Sequence, residues 1–194
     1  MSFKKDFIDI GKSGGEFGRG DFQIGWHYYA GKMFTGKSIL DVGAGLGHSR
    51  ERLSVNGNTV TLQDVAPGMP VDIKNEIESI PDNSYDVITC FDVIEHIVED
   101  ITFLAQLIRL SRLAVFITTP NYNISKNANP CHVREYTPEQ LVELASTVNA
   151  SSTFLSGSSD GKEIRKYWTV LEKINFLTHN DPHHGFILYP KEKE

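Results

Sequence analysis

Short apolar runs alternate with amphipathic stretches along most of this chain. The runs lie at 38–42, 59–63, 71–73, 85–91, 113–118, 151–156 and 185–189. Tyr85–Phe91 and Leu113–Thr118 are apolar almost without a break, as central strands covered on both faces are. Between them lie helical patterns. Residues 22–34 carry Phe22, Trp26, Tyr28, Tyr29 and Phe34, and a second helix is expected at 46–54. Ile97, Ile101, Leu104, Ala105 and Ile108 have helical spacing. Thr137-Pro138-Glu139-Gln140 opens another helix: threonine caps, proline suits the first helical position, and glutamine completes a capping box. Its buried face is Leu141, Leu144, Ala145 and Val148, and Ile164, Tyr167, Trp168, Leu171 and Ile174 predict a further helix. Strand–helix alternation of this kind predicts an α/β fold, a doubly wound sheet with helices on both faces.

Composition narrows the function classes. The 194 residues suffice for one domain with a sizeable core. Net charge is −6 and no basic block occurs, so an extended nucleic-acid footprint is not expected. Cys90 and Cys131 suggest neither a disulfide framework nor a zinc site. No signal peptide and no membrane span is read, which predicts a cytoplasmic protein. Residues 11–20 are glycine-rich. The expected organisation is an N-terminal segment, 1–36, on the substrate side, followed by a cofactor domain, 37–194, with an insertion at 157–184.

The chemistry starts at the end of the first strand. Asp41-Val42-Gly43-Ala44-Gly45-Leu46-Gly47 brings an apolar run into a tight turn before a helix. Glycine allows that turn and lets a ligand approach the main chain. Asp64, at the tip of the second strand, stands where an acid accepts hydrogen bonds from ribose hydroxyls. Together they predict a nucleoside-containing cofactor. Gly31–Ser38 also matches the phosphate-binding P-loop pattern, with Asp92 as a strand-terminal acid for magnesium. It follows a helix and enters a strand, the reverse of a working P-loop.

These segments, with Ile80–Ile88, Phe91–His96, Thr119–Tyr122 and His132–Pro138, resemble the class I S-adenosylmethionine-dependent methyltransferases, nearest the type 11 branch, over about residues 37–148. The resemblance implies a single Rossmann-like sheet of seven strands, mostly parallel with an antiparallel last strand. It implies S-adenosylmethionine as cofactor, contacted by Asp41, Val42, Gly43, Ala44, Gly45, Gly47 and His48, with Asp41 and the Gly43/Gly45 backbone holding the methionine part and approaching the ribose. Asp64 and Val65 would serve ribose and adenine, and Phe91, Asp92 and Val93 the sulfonium end. Asp72, Asn75 and Glu76 are all open for the adenine amine.

Methyl transfer from a sulfonium needs in-line alignment and exclusion of water, and a base only where the acceptor must lose a proton. His132, in the loop after the strand at 113–118, is read as a base, a substrate ligand or a loop brace. His96 is a second candidate, with packing as the alternative. Asp92, Glu95, His96 and His132 also resemble the metal ligands of certain small-RNA and quinone-precursor methyltransferases. His179, His183 and His184 are read as a solvated loop. Trp26, Tyr28, Tyr122 and Arg134 are candidates for the acceptor site. The preferred acceptor is a small molecule such as a sugar or glycan precursor. The alternatives are a metal-assisted RNA-end or quinone-precursor enzyme, a non-catalytic cofactor-binding relative, and a P-loop hydrolase.

Overall fold

A computed structural model of the chain describes residues 23–167 and 175–191. The elements that position the site are, in chain order, α1 (Ile24–Met33), β1 (Ser38–Val42), α2 (Ser49–Leu53), β2 (Thr59–Gln63) and β3 (Tyr85–Phe91). They continue with α3 (Asp100–Leu110), β4 (Ser111–Pro120), a one-turn helix α4 (Tyr122–Ser125), α5 (Pro138–Ser146), β5 (Ala150–Gly157), β6 (Ile164–Tyr167) and β7 (His183–Pro190). One seven-stranded sheet has the order β2-β1-β3-β4-β7-β5-β6. The first four strands of that order are mutually parallel. β7 runs antiparallel to both β4 and β5, and β6 antiparallel to β5.

Seven strands are present, although not the seven that the sequence pattern predicts. Val71–Ile73 makes only a single bridge, Gln63 to Ile73. The seventh strand is Ile164–Tyr167, which the spacing of Ile164 and Tyr167 assigns to a helix. A tight turn folds this segment back on β5: Ser158 N–H donates to Glu163 O at 3.0 Å, and Gly157 pairs with Ile164. Trp168, Leu171 and Ile174 lie outside the described residues. His183 and His184 belong to β7 rather than to a solvated loop.

The sheet is covered on both faces, so alternate residues of each central strand enter different cores. Leu40, Ile88, Val115 and Leu188 face α3 and α5. Ile39, Val87, Phe116 and Ile187 face Trp26 and Ala30 of α1 and Leu53 of α2. The capping box of α5 forms as expected. The predicted face of α3 is shifted: Phe103, Leu104, Leu107 and Leu110 are buried, whereas Ile101 is 52% exposed. The helix starts only at Asp100, so Ile97 does not belong to its stripe, and one phenylalanine with three leucines buries more apolar area than the predicted set.

β1 connects outward to β2 while β3 connects the other way to β4. The strand order therefore reverses between β1 and β3, and their carboxyl ends diverge into a crevice. The P-loop-like segment Gly31–Ser38 lies at the opposite, amino end of β1 and feeds that strand.

Candidate active site

The crevice has a volume of about 600 Å³. Its floor is the end of β1. Asp41 is buried and accepts hydrogen bonds from Ser49 Oγ at 2.5 Å and Thr89 Oγ1 at 2.6 Å. Burial pushes its pKa up against those bonds. Asp41 thereby ties β1 to β3 and to the start of α2. Gly43 follows at φ +75, and a Cβ there would stand 2.3 Å from Val93 Cγ2. The turn thus needs glycine for both its backbone and its clearance.

A small adjoining hollow shares Val42 and Gly43 and is walled by Asp64, Val65, Val93, Glu76 and Glu78. Asp64 accepts from Gly45 N–H at 2.8 Å and from Ala66 N–H at 2.7 Å, which clamps the glycine turn to the tip of β2. Among the three acids and amides open for adenine, only Glu76 lines this hollow. Asp72 turns away, taking Leu62 N–H at 2.8 Å and Arg50 Nη2 at 2.7 Å, while Asn75 O accepts from Gln63 Nε2. Val42, Ala44, Gly45, and the exposed His48 line the large crevice, and Gly47 turns the chain into α2.

The far wall comes from β3, β4, the loop after β4, and β7. Phe91 packs edge-on against Phe116 at 4.9 Å and tilts against His27 at 5.0 Å. Asp92 takes the left-handed backbone, φ +52, which aims its carboxylate across the strand ends. It accepts from His183 Nε2 at 2.9 Å and Thr118 Oγ1 at 3.1 Å. Burial alone would raise the Asp92 pKa, but His183 holds it below the ordinary range. Reciprocally, burial would lower His183 but Asp92 holds it above its ordinary value. The two form an ion pair at the crevice wall.

Beside that pair, Glu95, His96 and His132 bring one ligand atom each within 4.8 Å of one another. Asp92, the fourth member of the resemblance-based metal set, is directed at His183 instead. Thr119 Oγ1 donates to Glu95 Oε2 at 3.2 Å. His96 Nδ1 meets the Cys131 carbonyl at 2.8 Å, and a carbonyl can only accept, so Nδ1 carries the proton. His132 Nδ1 lies 2.6 Å from Glu135 Oε1, and the rings of His96 and His132 cross edge to face at 4.8 Å. The backbone N–H groups of Val133 and Arg134 both donate to Glu95 O at 2.8 and 3.2 Å, seating the loop over Glu95.

The four predicted acceptor residues lie elsewhere. Trp26 is fully buried, with Nε1 donating to Ser158 O at 3.0 Å. Tyr28 is on the outer side of α1 under Lys32, and Tyr122 lies under Lys126. Arg134 binds Asp100 at 2.8 Å and Val98 O at 3.1 Å, outside the crevice. Helix periodicity explains the first two: α1 turns His27, Gln23 and Ile24 to the crevice and Tyr28 to solvent. His27, Asn129, Glu135 and His183 are the residues that sequence reasoning missed. Only Glu135 had a local signal, three residues after His132.

Residues 21–168 match a family model described as a methyltransferase domain. The chain belongs to that family, the S-adenosylmethionine-dependent methyltransferases. Among curated relatives, a ubiquinone biosynthesis O-methyltransferase of Bordetella parapertussis is 28% identical over 120 residues, covering 52% of this chain and 50% of that protein. The chain thus spans about half the length of the curated relatives it matches. Among solved structures, a small RNA methyltransferase superposes with a TM-score of 0.64 at 17% identity, over 88% of this methyltransferase and 25% of that chain. The plantazolicin methyltransferase BpumL, solved with S-adenosylhomocysteine, gives 0.60 at 16% identity, over 87% of this chain and 83% of that one. These likenesses show the fold. Among the described residues no helix is long and apolar enough to cross a membrane.

Proposed function

We propose that this methyltransferase acts on a hydroxyl oxygen of a small-molecule acceptor, with a divalent cation beside the point of transfer. The observation that carries the cation is the meeting of Glu95, His96 and His132 within 4.8 Å. One carboxylate and two imidazoles suit a borderline divalent metal. His96 has its Nδ1 committed to a carbonyl, leaving Nε2 as the ligand atom, as metal-binding histidines are usually held. When bound, a cation lowers the pKa of a coordinated hydroxyl, and S-adenosylmethionine supplies a methyl group already activated as a sulfonium. In this reading His132 is a ligand rather than a free base.

The chain's own residues supply position and dryness. Asp64 takes the ribose hydroxyls and Glu76 the adenine amine. The Gly43–Gly45 turn lets the methionine part lie against the main chain. Phe91 and His27 form an aromatic wall that excludes water from the sulfonium end. The naming of the Bordetella relatives as O-methyltransferases favours an oxygen acceptor. Sugar and phenolic hydroxyls are both of that kind.

Chelator-stripped protein tests the reading. S-adenosylhomocysteine binding, followed by calorimetry, is expected to survive stripping. Turnover on a panel of vicinal diols, catechols and sugars is expected to vanish and to return with manganese or cobalt. Turnover that ignores the chelator would overturn the cation.

A further inference from the structure

Glu135 is a buried carboxylate with no contact to the crevice. Its side chain is 1% exposed, and it lies beyond His132 from the ligand cluster. Three donors surround it: His132 Nδ1 at 2.6 Å, the Asn127 N–H at 2.6 Å, and the Ser125 hydroxyl. On the other side of the His132 ring, Asn129 Nδ2 lies 3.0 Å from Nε2. The orientation of that amide is fixed independently, because its oxygen accepts from Cys131 N–H at 3.0 Å. An amide NH₂ can only donate and a carboxylate without its proton can only accept. The two neighbours therefore demand one tautomer, with the proton on Nδ1 and the lone pair on Nε2.

We infer that Glu135 is a positioning residue that acts through His132, fixing its ring and tautomer so that Nε2 keeps its lone pair, which meets the Asn129 amide in this structure and is the atom able to ligate when that amide moves aside. The inference rests on the metal reading above only for its consequence; the tautomer stands by itself. A glutamine at 135 can still accept from Ser125 and Asn127 through its oxygen. Its NH₂ then opposes Nδ1–H, donor against donor, and the ring is driven to carry its proton on Nε2, where it cannot ligate. Asn129 must give way at the same time.

The test is ¹⁵N–¹H correlation of the histidine side chains in mildly alkaline buffer, with manganese affinity and S-adenosylhomocysteine affinity measured on the same samples. The expected result is an Nδ1–H tautomer for His132 in the wild type and an Nε2–H tautomer in Glu135→Gln. Manganese affinity should fall about 10- to 100-fold with S-adenosylhomocysteine affinity unchanged. Glu135→Asp, which keeps the charge, should restore the Nδ1–H form at least partly. An Nε2–H tautomer in the wild type overturns the inference without any variant, which covers the case in which Glu135→Gln does not fold. So does a folded Glu135→Gln that keeps the Nδ1–H form. If the wild type binds no manganese yet shows the expected tautomer switch, the metal reading falls and the role of Glu135 stands.

Discussion

The two halves of the crevice are built on different length scales. On the cofactor side most ties are short: Asp41 reaches Ser49 eight residues on and Asp64 reaches back 19 to Gly45, with one longer tie from Asp41 to Thr89, 48 residues on. On the acceptor side, His96 reaches 35 residues to Cys131, and Asp92 reaches 91 to His183. The first half is a strand–turn–helix unit that its own sequence nearly determines. The second exists only once the sheet is assembled. Mutations should therefore separate by half, the first set removing the cofactor and the second removing turnover.

The largest separation is expected from His96→Ala. It should lower kcat by about 100-fold or more, in line with loss of a metal ligand or a general base, while S-adenosylhomocysteine titrates as in the wild type. A parallel loss of cofactor binding would break the comparison. Gly43→Ala is the mirror case. A Cβ would meet Val93 on a left-handed backbone, a cost of roughly 2–4 kcal/mol. Thermal unfolding and calorimetry should show a lower midpoint and lost S-adenosylhomocysteine binding. Asp64→Ala removes the acceptor of two backbone N–H groups and should weaken cofactor binding by roughly tenfold or more.

Asp92→Asn breaks the ion pair with His183 and should cost about 3 kcal/mol. The folded pKa of Asp92 lies below 3.8, so its contribution is present above that value and is lost as pH falls through the folded pKa. The folded pKa of His183 lies above 6.5, so its contribution is complete below 6.5 and is lost as pH rises through the folded value. His27 and His184 act in the opposite sense: burial lowers both, His184 to about 3, so their terms rise toward pH 6.5 and are flat above it. A decline in unfolding free energy above pH 6.5 that disappears in Asp92→Asn would assign it to this pair. The smallest effect is expected at the amino edge of the sheet. Asp86, held to about 2 chiefly against burial by Ser38 and Arg112, pairs with an Arg112 that is 42% exposed. Arg112→Ala should cost about 1 kcal/mol or less and leave activity unchanged.

The same difference of scale decides what was legible in the sequence. The glycine turn and Asp64 could be read because their geometry is local. The capping box at Thr137 could be read for the same reason. The acceptor wall could not: nothing near His183 in sequence announces Asp92, and a run of His-His-Gly reads as polar until β4 and β5 close on either side. Tyr28 and Trp26 were drawn to the site by their chemistry, whereas the helix phase set by packing gave that place to His27. Ile164 and Tyr167 stand three apart, which four residues cannot distinguish from a strand; the hairpin turn at 158–163 settles it through pairing with β5.

The placement of β7 between β4 and β5 has a consequence for biosynthesis. Until residues 183–190 have left the ribosome, β4 and β5 each lack a neighbour and present an open edge. β1, β2 and the glycine turn have by then long been synthesised. A chain stalled just before His183 would have two bare strand edges and an Asp92 lacking its counter-charge, a natural client for chaperones.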